Sequence, residues 1–265
     1  MNMKKYKGAV FFDIDGTLID ERIGVSRPTE STREAIERLK KNGYLTGIAT
    51  GRAKCYLCDL AVNFDCYITC NGAVVELGGE TVYADHIDTA RQTELIRYLD
   101  ENGFGYAFET LEYCYYGGDR RDAFLRVVEE SNLNRACFVP MEDPTIKTFK
   151  AMISFDSEDQ LAALRARFGQ EFDIAQHHHD PEADVNRFGV SKATGIKKAI
   201  ELAGIGIESI YAFGDGANDV DMFCAVGCGI AMTPHSPLLG PYAKMIAGGV
   251  ADGGIFRALR EIGLI

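Results

Sequence analysis

The sequence predicts an α/β protein: a Rossmann-like core built on a parallel sheet, interrupted by a second α/β module. Three observations carry this. Near the N-terminus, short apolar runs alternate with amphipathic runs of helical period, and strand–helix–strand alternation implies parallel strands joined by right-handed crossovers. From about Thr81 the texture changes to a block richer in aromatics and acids. Around Asp184–Gly189 the first pattern resumes and continues to the last helix. The expected division is therefore a core over 1–84 and 188–265, with an insertion over 85–187, a length ordinary for a domain.

The elements follow in order. Val10–Asp13 reads as a buried strand. Ser31–Asn42 reads as a helix, with Ser31 and Glu34 at capping-box spacing, Gly43 as its stop, and Ala35, Ile36 and Leu39 on one face. Tyr44–Thr50 is a strand, Gly51 a turn, Ala53–Phe64 a helix and Cys66–Thr69 a further strand. Within the insertion, Phe104–Glu109 and Tyr113–Tyr116 read as adjacent strands and Asp119–Glu130 as a helix. Thr148–Phe155, Glu158–Phe168 and Phe172–Gln176 then read as strand, helix and strand. In the closing segment Ser191–Ala203 is a helix, Ser209–Gly214 a strand, Asn218–Ala225 a helix, Cys228–Ala231 a strand and Ile255–Ile262 the last helix.

Composition narrows the function classes. With 265 residues, 46% of them hydrophobic and 25% charged, the chain can bury a proper core. A formal net charge of −11 argues against a nucleic-acid binder, which needs a basic stripe. An anionic substrate would then need local positive charge or a metal ion. No apolar stretch approaches the roughly 20 residues of a membrane span. The basic start at Met1–Lys7 is followed by a short apolar run ending at Asp13, so no signal peptide is expected and the cytoplasm is the expected location. Among the eight cysteines, Cys55, Cys58, Cys66 and Cys70 cluster and include a C-x2-C. A helix for the first pair and a strand for the second point them apart, so reduced thiols are expected rather than zinc ligands.

The chemistry is concentrated at two strand ends. Ala9-Val-Phe-Phe-Asp-Ile-Asp-Gly-Thr-Leu18 finishes an apolar strand in two carboxylates, Asp13 and Asp15, with a glycine turn behind them. Ile210-Tyr-Ala-Phe-Gly-Asp-Gly-Ala-Asn-Asp-Val-Asp-Met222 repeats the design around Asp215 and Asp219. Ligands of open parallel sheets bind at the carboxyl ends of the strands. Four acids gathered there repel one another unless a cation sits among them. Asp13 and Asp15 stand two residues apart where the strand gives way to a turn, so one can attack phosphorus, as carboxylates do in aspartyl-phosphate chemistry, while the other manages a proton. Mg2+, which favours oxygen ligands, would bridge Asp13, Asp215 and a substrate phosphate. Two weaker signals agree. Thr50 and Gly51 place a hydroxyl and free N–H groups at a strand-to-helix turn. Lys192 stands in a first helical turn, where the helix dipole disfavours a cation unless it serves an anion.

The segments D-I-D-G-T-L, A-T-G-R, G-V-S-K and G-D-G-A-N-D-V-D-M, in this order and over nearly the whole chain, resemble the haloacid dehalogenase (HAD) superfamily, specifically its Cof-type phosphatases. The resemblance implies that Asp13 is the nucleophile and Asp15 the general acid/base. It further implies that Thr50, Gly51 and Lys192 bind the transferring phosphate and that Mg2+ is held by Asp13, the Asp15 carbonyl and Asp215. Asp219 would brace the metal site, and Asn218 would contact phosphate or orient Lys192. An insertion between Thr50 and Lys192 resembles the type-2 (C2B) cap, a lid with hinges near Tyr83–Asp85 and Arg187–Gly189. Thr233-Pro-His-Ser-Pro237 departs from the family's G-N-A, and His235 in that loop is weighed as a substrate contact against a merely different loop shape.

In the cap no motif guides the choice. Glu109, Tyr113 and His178 are carried as specificity candidates, although aromatics there more often form a core. The run His177–His179 reads as a polar loop, since consecutive strand-end residues cannot all face one ion. The function expected is Mg2+-dependent hydrolysis of small phosphorylated metabolites, such as sugar phosphates or phosphorylated cofactors, by way of an aspartyl-phosphate. A phosphomutase of the same superfamily and a non-catalytic phospho-ligand sensor are the alternatives. No nucleic-acid or membrane partner is expected, and the sequence does not set the oligomeric state.

Overall fold

In a computed structural model, residues 5–130, 133–177 and 181–265 are described. The chain separates into two compact units: Met1–Gly51 with Cys58–Tyr83 and Ser191–Ile265, and Arg52–Leu57 with Ala84–Val190.

The first unit opens with β1 (Gly8–Phe12), α1 (Glu30–Lys41), β2 (Tyr44–Ala49), β3 (Cys66–Thr69), β4 (Val74–Leu77) and β5 (Glu80–Ala84). The second follows with α2 (Thr89–Glu101), β6 (Gly105–Glu109), β7 (Cys114–Gly118), α3 (Arg121–Glu130), β8 (Phe138–Pro140), β9 (Lys150–Ser154), α4 (Glu158–Phe168), β10 (Phe172–Gln176) and β11 (Glu182–Arg187). The chain then completes the first unit with α5 (Lys192–Ala203), β12 (Ile210–Gly214), α6 (Val220–Cys224), β13 (Cys228–Ala231), β14 (Met245–Ile246) and α7 (Gly254–Glu261). Among the described residues, no helix is long and apolar enough to cross a membrane.

The sheet of the first unit runs β14-β13-β12-β1-β2-β3-β4-β5. From β14 to β3 every pairing is parallel, and β4 turns back antiparallel on β3. Its central strand β1 is buried along its whole length, and a strand covered on both faces reads as the continuous apolar run seen in the sequence. Phe11, Ile68, Ile196, Ala212 and Met222 belong to one core beneath this sheet. The sheet of the second unit runs β10-β11-β9-β6-β7-β8, antiparallel except for β7 with β8. Its own core includes Leu95, Phe104, Phe108, Ile153 and Leu164.

Three local expectations change. The first helix is capped by Thr29, two residues before Ser31, its hydroxyl accepting the Thr32 N–H at 3.3 Å. Ala53–Phe64 is not a helix: one 3-10 turn, Lys54–Tyr56, is followed by irregular chain, with Ala53 and Leu57 extended on either side. Arg52–Leu57 packs with the second unit, where Tyr56 donates to Glu109 at 2.8 Å, and this tertiary bond overrides the helical pattern. The return to the first pattern, read around Asp184–Gly189, begins later: residues up to Arg187 belong to β11, a strand paired on both sides within the second sheet.

Candidate active site

Parallel pairing brings the ends of β1, β2 and β12 level. Phe12 lies opposite both Ile48 and Phe213, and the Asp13 N–H donates to the Phe213 carbonyl at 2.9 Å. The next residue after each strand, Asp13, Thr50 and Asp215, therefore leaves the sheet at the same end. Asp13 and Thr50 are buried, Asp215 is half-buried and Asp15 is exposed. Gly16, at φ +74°, lies so close to Asp215 that any Cβ there would overlap its carboxylate. Thr17 Oγ1 donates to Asp215 Oδ1 at 3.4 Å.

Lys192 is the first residue of α5 and is 1% exposed. Its Nζ lies 2.7 Å from Asp13 Oδ1 and 2.7 Å from Asp219 Oδ1. Burial alone would lower the ammonium's pKa, but Asp13 and Asp219 outweigh it and hold the group above its ordinary value. The remaining Asp219 oxygen accepts the N–H groups of Asp215 and Gly216 at 3.0 and 2.9 Å. Asp219 thus fixes both the lysine and the loop that carries Asp215. Asn218, in the same turn, is exposed.

Burial raises the Asp13 carboxyl well above the carboxylate range, Lys192 opposes this, and Asp219, Asp215 and Asp15 add to it. Burial and the Asp219 charge push Asp215 up to about 7, against the pull of Lys192 and Arg22. Asp13, Asp215 and Asp219 each offer a carboxylate oxygen within 4.8 Å of the other two. An all-oxygen set with too little local positive charge fits a hard divalent cation. Because both Asp219 oxygens already accept hydrogen bonds, Asp13 and Asp215 would contact such an ion, with Asp219 behind them.

A pH dependence follows from Asp215. Its folded pKa lies above its unfolded one, so between about 4 and 7 the folded state holds the extra proton. Without divalent ions, Tm is therefore expected to fall as pH rises through that window. A saturating divalent cation that occupied these carboxylates would compete with the proton and flatten the fall. Thermal melts in chelator and in Mg2+ across this range measure both; a chelator curve that rises instead would contradict the assignment.

Some contributors were not read from the sequence. Asn71 is buried at φ 52°, its N–H donates to the Thr50 carbonyl at 3.0 Å, and its side chain lies against Gly51. A Cβ on the adjacent Gly72 would overlap the Ser191 carbonyl, so this turn also abuts the start of α5. The Asn71-Gly72 pair was the available signal. In the departing loop, Ser236 N–H donates to the Asp215 carbonyl at 2.7 Å, and His235 Nδ1 lies 2.8 Å from the Met232 carbonyl. The loop has its own anchors in place of the family's usual residues.

In the second unit, Glu109 is fully buried and Tyr113 exposed; His178 lies outside the described residues. Glu109 sits in an ionic cluster that the sequence did not reveal. Lys150 Nζ is 3.2 Å from Glu109 Oε1 and 2.8 Å from Asp184 Oδ1, and His177 Nε2 is 3.4 Å from the same Asp184 oxygen. Burial raises the Glu109 carboxyl, while for Asp184 the pull of Lys150 and His177 outweighs burial and holds it below the ordinary range.

A parallel α/β core that gathers carboxylates and a buried lysine at its strand ends defines a phosphoryl-transfer hydrolase. The sequence model of haloacid dehalogenase-like hydrolases matches residues 10–259, and the chain belongs to that family, as a hydrolase of phosphoric monoesters. It is 30% identical over 267 residues to the "Putative phosphatase YkrA" of Bacillus subtilis, covering 97% of this chain and 98% of that one. It is 26% identical over 264 residues to the pyridoxal phosphate phosphatase YbhA of Escherichia coli, covering 90% and 92% of the two chains. Among solved structures it resembles the HAD subclass IIB sugar phosphatase BT4131, with a TM-score of 0.85, 26% identity, and coverage of 98% of this chain and 100% of that one. Phosphatases of this family generally use a divalent metal.

Proposed function

We propose that the protein is a Mg2+-dependent phosphatase of small phosphorylated metabolites that works through a phosphoryl group carried transiently on Asp13. The observation that carries this reading is the Lys192 ammonium at 2.7 Å from both Asp13 and Asp219. It holds Asp13 in place and keeps positive charge where an anionic phosphoryl group would approach. A bound Mg2+ would supply further charge neutralisation for the phosphoryl oxygens. The Asp13 carboxylate attacks phosphorus, while Thr50, Gly51 and Lys192 hold the non-bridging oxygens. Asn218, exposed beside Asp219, is proposed to contact phosphate. Asp15, exposed and two residues on, protonates the leaving oxygen and then takes a proton from the water that cleaves the acyl phosphate. Substrate selection is assigned to the second unit, with exposed Tyr113 and the Glu109–Lys150 pair as the candidate determinants. The sugar and pyridoxal phosphates in the relatives' names support a small-metabolite substrate.

Phosphate release from an aryl phosphate, followed in Mg2+ and in excess chelator, tests this reading. Release is expected in Mg2+, to vanish with chelator and to return on adding Mg2+ back. Asp15→Asn should retain slow turnover, reduced about 10^2- to 10^4-fold. Release that is indifferent to chelator, or unaffected by Asp15→Asn, would count against the scheme. A phosphomutase would instead require a bisphosphate activator, and a sensor would release nothing from a broad phosphate panel.

A further inference from the structure

We propose that Cys55, Cys114 and Cys137 form a site for a thiophilic d10 metal ion, Zn2+ or Cu+, inside the second unit and separate from the carboxylate cluster. The three sulfurs come from distant points of the chain. Cys55 lies in the 3-10 turn Lys54–Tyr56, Cys114 opens β7, and Cys137 ends the 3-10 turn Arg135–Cys137 just before β8. All three Sγ atoms lie within 4.8 Å of one another, with Cys55 and Cys114 at 3.5 Å. Zn–S bonds of about 2.3 Å in tetrahedral arrangement set sulfurs roughly 3.8 Å apart, so an ion fits with little movement. Cys114 and Cys137 are buried and Cys55 half-buried, which leaves a way in beside Cys55. None of the three is disulfide-bonded.

A second observation points the same way. Glu109 pairs directly with Cys114 across β6 and β7, and directly paired residues share a face of the sheet. Glu109 is 0% exposed, and its Oε2 has no hydrogen-bond partner among the described residues, although Oε1 has two, Tyr56 and Lys150. A buried carboxylate oxygen left unpaired costs free energy, and an ion at the thiols would offset it. Zn2+ prefers four ligands and would take Glu109 as the fourth, whereas three thiolates satisfy Cu+. The Cys137 thiol now donates to the Asn134 carbonyl at 2.9 Å; on loading it gives up that bond. Binding releases the three thiol protons to solvent, with no change of oxidation state. The loaded site would clip Arg52–Leu57 to β7 and to the start of β8.

The test is spectroscopic and independent of turnover. The full chain, reduced, stripped of metal and kept anaerobic in excess Mg2+, is titrated with Co2+, and separately with Cu+ against a chromophoric chelator. Expected is a thiolate-to-cobalt charge-transfer band with tetrahedral ligand-field bands, saturating at one ion per chain and bleached by Zn2+, or stoichiometric withdrawal of Cu+ from the chelator. Both signals should be lost in Cys55→Ser and Cys114→Ser and kept in Cys228→Ser, with folding of each variant checked by circular dichroism. Glu109→Gln should weaken Zn2+ by about 10- to 100-fold and leave Cu+ little changed. The proposal is overturned if the reduced, folded protein gives neither signal. It also fails if both signals survive in the folded Cys55 variant, or if the only product is a Cys55–Cys114 disulfide on exposure to oxidant.

Discussion

Asp13→Asn is expected to abolish phosphate release, by about four orders of magnitude or more, while leaving the protein folded. The amide keeps the size of the carboxylate and its place after β1, where the backbone N–H is fixed to Phe213. It cannot form an acyl phosphate under the same conditions. Stability should change little, because burial and three neighbouring carboxylates oppose the Asp13 charge that Lys192 favours, and Lys192 keeps Asp219 as its partner. Without added metal, Tm at neutral pH is expected to be equal to or above that of the parent. Parallel measurement of phosphate release and thermal unfolding separates the roles. A variant that turns over at the parental rate would remove Asp13 as the nucleophile, and one that unfolds would show it to be a structural acid.

Lys192→Met produces the second large effect, and here stability and activity fall together. Methionine approximates the apolar stem of lysine, one atom shorter, and removes the ammonium. Asp13 and Asp219 then lose their shared partner in a site where the lysine is 1% exposed. Removing one member of a buried ionic group typically costs about 3–5 kcal/mol, because the charge left behind stays desolvated. Denaturant unfolding at neutral pH should show a loss of that order. The loss should shrink in acid as the carboxylates protonate, and in Mg2+ as a cation replaces the ammonium. A variant as stable as the parent at neutral pH would mean that the two carboxylates do not depend on Lys192.

Much of the first unit was legible because its central parallel strands are short and apolar, and three of them are followed by a chemically distinctive residue. β1, β2 and β12 end at the acids and threonine that mark the site. Helix Lys192–Ala203, and Glu158–Phe168 in the second unit, have caps or stops of their own, the latter burying Leu161, Leu164 and Phe168 at helical spacing. Failures cluster where tertiary contacts override local pattern. Ala53–Phe64 has helix-forming residues, but Tyr56 is drawn to Glu109 and the chain makes only a single 3-10 turn. The Lys150–Asp184–His177 cluster joins β9 to β11 and to the start of the His177–His179 run, a pairing that no local pattern announces. The three clustered cysteines escaped notice for the same reason, because the C-x2-C that draws the eye contributes only Cys55.

The central claim is that Asp13 itself carries the phosphoryl group. Rapid acid quench of Asp15→Asn turning over a phosphorylated substrate in Mg2+, followed by peptide mass spectrometry, tests it most directly. The account predicts a phosphoryl adduct on the peptide containing Asp13, absent in chelator and in the Asp13→Asn protein. Continued turnover with no adduct on that peptide at any quench time would contradict it.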